Sequence, residues 1–170
     1  GAPDAVMLED PTVTQFAVTG DVIDLSAYGA DNLSDDFTAG PWNKLQYNGK
    51  PYALPIDAGP EMFFYNKAVF DKAGVDGESI KTWDDYYEAA KKLKKIGVYI
   101  AADAGDASFY DAMIWLAGGH PFATSADGKT VTVDLTGDDG TKTFTEFWQK
   151  MIDEGLIATK AETWSEKWKR

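Results

Sequence analysis

Residues 52–67, YALPIDAGPEMFFYNK, constrain the chain most. Two apolar runs, 52–56 and 62–65, lie in line, and each has the composition of a strand. Only Asp57-Ala58-Gly59-Pro60-Glu61 separates them. Two folds accommodate this. The runs form a β-hairpin with its turn at 58–61, for which Gly-Pro supplies the turn chemistry. Alternatively the chain crosses here from one lobe to another, which sets Asp57 and Glu61 beside a cleft, where ligand pockets often lie. Local turn chemistry by itself favours the hairpin.

The flanking segments alternate strands and helices. Residues 5–8, Ala-Val-Met-Leu, read as a strand covered on both faces. Glu9 and Asp10 follow it, at the kind of strand end where α/β proteins place ligand sites. Asp10 equally suits the N-cap of a helix starting at Pro11. That helix is expected to run to Thr19, with Val13, Phe16 and Ala17 inward and Gly20 ending it. Residues 22–25 read as extended and 31–36 as a polar turn. Trp42 is either a stacking platform or core. Residues 45–47 and 51–54 flank Asn48-Gly49, a pair suited to a type I′ hairpin turn.

Asn66 is placed to cap a short helix over 67–73 that ends at Gly74. Thr82 and Asp85 form a capping box for a helix to Lys95. Its apolar face carries Trp83, Tyr86, Tyr87, Ala90 and Leu93, while Lys91, Lys92, Lys94 and Lys95 face solvent. Residues 98–101 read as a buried strand, followed by the polar loop Asp103-Ala104-Gly105-Asp106 and an apolar helix over 108–117 with Phe109 and Tyr110 in its first turn. Asp127-Gly128 suits a turn, and 131–135 alternates like an edge strand. A long helix over 137–154 carries Phe144, Phe147, Trp148, Met151 and Ile152 on one face. Trp164 and Trp168 stand at helical spacing near the end of the chain. The order is α/β.

Composition narrows the function. A net charge of −12 argues against nucleic acid or an anionic membrane surface as partner, since both recruit clustered Lys and Arg. With no Cys, thiolate metal sites and Cys nucleophiles are excluded. His120 is the single His and reads as an exposed loop residue, so a multi-His metal site cannot form within these residues. Neither a Gly-rich phosphate loop nor a nucleophile elbow is present, and nothing calls for a cofactor. The abrupt opening on an apolar run and an end without a closing element suggest an excised segment, whose unpaired strands would promote dimerisation or strand exchange.

Three collinear stretches carry a resemblance. They are PDAVM with the later GDVIDLS; YNGKPYALPIDAGP running into FYNKAVFDKAG and KTWDD; and IWLAGG. In this order they resemble the extracytoplasmic solute-binding proteins of ABC sugar importers, in the group related to maltose-binding protein. The resemblance implies a type II periplasmic-binding-protein fold, present in part: residues 1–57 in one lobe, 58–60 as the first hinge crossing and 61–170 in the other lobe. It reverses the preference for a hairpin at 52–65. It also implies non-catalytic binding of a sugar or oligosaccharide outside the cytoplasm, with transmembrane importer subunits as partners.

The family's ligand contacts carry over to Glu9, Asp10, Asp57, Gly59, Asp106 and Phe109, and less directly to Trp42, Glu61 and Tyr110. Pro11 stands where some maltose-binding relatives have a carboxylate, so a maltodextrin specificity does not follow. The chemistry suits sugar: carboxylates accept strong, charge-assisted bonds from hydroxyls, and aromatic faces cover pyranose C–H surfaces. Two other readings compete. One is a glycoside hydrolase with paired carboxylates roughly 5–9.5 Å apart; the other is an α/β interaction module.

Overall fold

The structure, a computed structural model, describes residues 3–125 and 130–160. The chain divides into two compact units, Gly1–Glu61 and Met62–Arg170.

In the first unit, α1 (Asp10–Thr19) buries Val13 and Ala17, whereas Phe16 stays partly exposed. It ends as its sequence predicts. Gly20 takes a left-handed conformation at φ 80°, and the N–H groups of Gly20 and Asp21 donate to the Ala17 and Phe16 carbonyls. The start differs by one residue: Glu9, not Asp10, occupies the N-cap position, without a side-chain cap, and Asp10 is helical. Residues 22–25, expected to be extended, form no strand; two 3₁₀ turns follow, Ser26–Tyr28 and Ala30–Asp36, the second spanning the expected polar turn at 31–36. After α2 (Ala39–Lys44), strands β1 (Gln46–Tyr47) and β2 (Lys50–Pro51) pair antiparallel around Asn48-Gly49. Both turn residues have positive φ, 50° and 72°, as a type I′ turn requires.

This hairpin is tied to the preceding turn. The Leu25 N–H donates to the Pro51 carbonyl, and Lys50 pairs with Asp24 at 2.6 Å. The Lys50 ammonium, helped by the Ser26 hydrogen bonds, holds the Asp24 carboxyl down at about 2. A depressed carboxylate stabilises the fold above its ordinary titration range, and that contribution is lost as pH falls through about 2. Lys50→Met should therefore raise the Asp24 midpoint toward the usual carboxylate range in an NMR pH titration. An unmoved midpoint would remove Lys50 as the cause.

Residues 5–8 are not a strand. Val6 and Met7 are 60% and 78% exposed. A strand is stabilised by ladder bonds and cross-strand pairs, and among the described residues of this unit only β1 and β2 pair. The same reason overturns the strands expected at 52–56 and 62–65. Residues 54–66 have no regular structure, and the two runs do not pair with each other, so they form no hairpin.

The second unit is built from helices on a small parallel pair. Asn66 caps α3 (Lys67–Lys72) through a bond from the Val69 N–H. Thr82 and Asp85 form the expected capping box on α4 (Trp83–Lys95). β3 (Ala101–Ala102) lies later than expected and pairs parallel with β6 (Ile157–Ala158), a strand the sequence did not reveal. Between them come α5 (Ala107–Leu116), the antiparallel pair β4 (Phe122–Thr124) and β5 (Val131–Val133), and α6 (Asp139–Asp153). The expected turn at Asp127-Gly128 and the Trp164–Trp168 spacing lie outside the described residues.

The core lies where α4, α5 and α6 meet β3 and β6. Ile114, Phe144, Met151 and Leu156 are at most 2% exposed, each contributing about 1.5–3 kcal/mol by burial. Trp83, Tyr86 and Tyr87 pack against this cluster, as the periodicity of α4 predicts. A second cluster gathers Phe70, Val75, Ala89 and Leu93. Trp115 and Leu116, by contrast, point outward at 51% and 59% exposure, so α5 is not buried all round.

Candidate functional site

In the first unit the helix start at α1 carries two candidate residues. Glu9 is exposed, and its carbonyl accepts the Thr12 N–H and hydroxyl. Asp10 is half-buried and pairs with Lys44, at the end of α2, at 2.9 Å. A carboxylate in a first helical turn is favoured by the helix dipole. The exposed Lys44 pair adds at most about 1 kcal/mol, so it can open to a ligand at small cost. Trp42 is half-buried with its ring stacked on Phe37 at 5.7 Å and 10°. Asp57, Gly59 and Glu61 are all exposed in the irregular joint. Gly59 has an ordinary φ, and a Cβ there would meet nothing within 4 Å, so the local backbone does not demand glycine.

In the second unit the loop after β3 is held tightly. Asp103 hydrogen-bonds into β6 through its N–H on the Ala158 carbonyl. Its carboxylate accepts the Gly105 N–H at 2.7 Å and the Trp148 indole N–H at 2.7 Å. Gly105 stands at φ 82°, a left-handed position that favours glycine. Asp106 is the N-cap of α5, accepting the Ser108 N–H at 2.8 Å, and is exposed. Phe109 is half-buried, its ring centroid 5.5 Å from that of Trp148. Tyr110 packs on Phe144 at 5.9 Å, and its hydroxyl meets the Thr145 hydroxyl at 2.5 Å.

The structure thus brings Asp106, Phe109 and Tyr110 together on one loop and first helical turn. It brings Glu9 and Asp10 together on another, within its own unit. The second-unit loop offers an exposed carboxylate and an aromatic ring at a strand's C-terminal end and a helix N-terminus, a setting suited to binding hydroxyl-rich ligands. Sequence reasoning missed two contributors, Asp103 and Trp148. Asp103 was visible only as part of the loop, and Trp148 only as one more residue on the apolar face of α6.

His120 is exposed, as expected, and its backbone N–H donates to Asp138. That bond, together with those from Thr141, lowers the Asp138 pKa from its ordinary value. Among the described residues no group of three or more His, Asp or Glu is placed to hold a metal ion. Within the same residues no helix is long and apolar enough to cross a membrane. Two surface grooves lie along α6, lined by residues such as Lys91, Lys150, Asp153 and Glu154. None of the candidate residues borders either groove.

Residues 1–168 match the family model for bacterial extracellular solute-binding proteins. The structure superimposes with a TM-score of 0.90 on the ABC transporter associated binding protein from B. animalis subsp. lactis Bl-04, solved in complex with β-1,6-galactobiose. The two are 55% identical over 99% of this chain and 41% of that one. A second likeness is to the galacto-N-biose-/lacto-N-biose I-binding protein of Bifidobacterium longum, solved with lacto-N-biose. Its TM-score is 0.69, with 32% identity over 85% of this chain and 35% of that one. The arabinooligosaccharide-binding protein of Bacillus subtilis is 35% identical over 98 residues, 56% of this chain and 22% of that protein. The chain therefore spans less than half the length of these relatives. The fold is α/β, of the type II periplasmic-binding-protein kind.

Proposed function

The chain belongs to the bacterial extracellular solute-binding protein family, and from that premise we propose that it forms part of a carbohydrate-binding subunit of an ABC importer. It binds without catalysis, outside the cytoplasm, in a periplasm or anchored at the cell surface. The observation that carries this is the 55% identity and 0.90 TM-score to a binding protein solved with β-1,6-galactobiose. Short galactose- or arabinose-containing oligosaccharides are therefore the first ligands to test.

In this reading residues 1–57 and 61–170 belong to two lobes, and 58–60 is the first hinge crossing. The chemistry of the joint supports it. Among the described residues none from 54 to 65 donates a backbone hydrogen bond, so changing φ and ψ there breaks no ladder. Glu9, Asp10, Asp57 and Asp106 accept bonds from sugar hydroxyls. Gly59 lets the backbone approach, and Phe109 offers a ring to the apolar sugar face. Trp42, Glu61 and Tyr110 are secondary contacts. Ligand binding shifts the open–closed equilibrium by its differential affinity for the two states. Transmembrane importer subunits read that shift.

The test uses the full-length polypeptide containing this sequence, at the size of its relatives. Incubated with a short oligosaccharide, it should retain one intact sugar per protein and release no product. Accumulating monosaccharide would instead establish a glycoside hydrolase. Asp57→Ala should weaken sugar affinity by roughly thirtyfold, as loss of a charge-assisted hydrogen bond does, with an unchanged melting temperature. Unchanged affinity would remove Asp57 from the site.

A further inference from the structure

We infer that Asp103 is a positioning residue for ligand binding, holding the loop 103–106 in shape through Trp148; this rests on the reading above that the loop faces the sugar. Two N–H donors converge on its carboxylate. The Gly105 amide reaches Oδ1 and the Trp148 indole reaches Oδ2, each at 2.7 Å. An ionised carboxylate has two acceptor oxygens and no donor, so it serves both at once. The Asp103 amide meanwhile is anchored on the Ala158 carbonyl of β6 at 2.9 Å. Asp103 therefore links three parts of the unit: the parallel strand pair, the loop and α6.

Trp148 is buried at 5% exposure, so it does not offer its own face to a ligand. It supports one: the half-buried Phe109 ring lies 5.5 Å from it, and Phe144 stacks on it at 5.5 Å and 26°. The Asp103–Trp148 bond thus fixes, on one side, the loop that presents Asp106 and, on the other, the indole beneath Phe109. Asp106 and Phe109 thus both depend on one side-chain pair 45 residues apart in sequence.

Asp103→Asn separates positioning from bulk. The amide has the same shape but a single acceptor oxygen, so one of the two donors loses its partner and meets an NH₂ group. In the full-length polypeptide this should weaken sugar affinity about tenfold, while near-UV circular dichroism stays that of a folded protein. Trp148→Phe removes the indole donor and keeps an aromatic ring. In Asp103→Asn/Trp148→Phe the single acceptor then serves Gly105, so the double variant should bind no more weakly than Trp148→Phe alone.

The spectroscopic readout is the Trp148 indole N–H resonance without sugar, which should move in Asp103→Asn. An unmoved resonance, wild-type affinity in Asp103→Asn, or additive losses in the double variant would overturn the inference. A wild-type protein that binds no sugar would overturn the functional reading, and with it the ligand role of Asp103. The indole resonance would still report whether the pair exists.

Discussion

Phe144→Ala should destabilise the second unit by about 3–5 kcal/mol, the range for truncating a buried phenylalanine. Phe144 is 2% exposed. Its ring lies 5.5 Å from Trp148, 5.9 Å from Tyr110 and 6.0 Å from Trp83. Three large, interlocked rings cannot collapse into the space it leaves, so the cavity penalty adds in full to the lost burial. Denaturant unfolding followed by near-UV circular dichroism measures the effect. Phe122→Ala, at a 43% exposed position on β4, is the control and should change stability by less than about 0.5 kcal/mol. Equal losses in the two variants would contradict the placement of the core.

Gly140→Ala should destabilise by about 3 kcal/mol, the upper part of the usual overpacking range. The sign is what makes this informative. Gly140 lies in the first turn of α6, and helix propensity alone would favour alanine by about 1 kcal/mol. The packing reverses that preference. A Cβ at Gly140 would collide with the backbone N and Cα of Gly119 and stand 2.7 Å from the Gly118 carbonyl carbon. Backbone cannot rotate away as a flexible side chain would.

Gly119 is itself confined, since a Cβ there would lie 2.6 Å from the Asp138 carboxylate and 2.8 Å from the Thr141 nitrogen. The Gly118-Gly119 turn that follows α5 and the start of α6 therefore meet backbone to backbone, and added bulk must push α6 away from the core. Gly59→Ala, where a Cβ would meet nothing within 4 Å, should be neutral in stability. Thermal unfolding of the two variants in parallel compares them. A stabilised Gly140→Ala would show that the helices do not approach so closely.

What the sequence made legible was mostly local. The caps at Asn66 and Thr82, the Asn48-Gly49 turn and the Gly20 stop each depend on groups within a few residues of one another. The apolar faces of α4 and α6 were equally readable, because helical periodicity is a property of one segment. Strands were legible only where a turn or an alternation marked them, as in the 46–51 hairpin and at Val131–Val133, because a strand exists only with a partner. Residues 5–8 and 52–56 have strand composition but no ladder among the described residues. The short Ile157–Ala158 becomes a strand because Ala101–Ala102 lies beside it.

The candidate site divides along the same line. The polar loop holding Asp106 before an apolar helix was visible locally, and the family resemblance singled out Asp106 and Phe109 as contacts. The bond from Trp148 to Asp103 spans 45 residues and left no local trace. The family resemblance reached further than local pattern because it draws on the order of three separated stretches.

The most direct measurement is a calorimetric titration of the full-length polypeptide with a panel of neutral oligosaccharides. A carbohydrate-binding subunit predicts saturable binding of at least one sugar at one site per protein, with a negative heat-capacity change from buried apolar surface. A folded protein that gives no saturable heat with any oligosaccharide of the panel would contradict it.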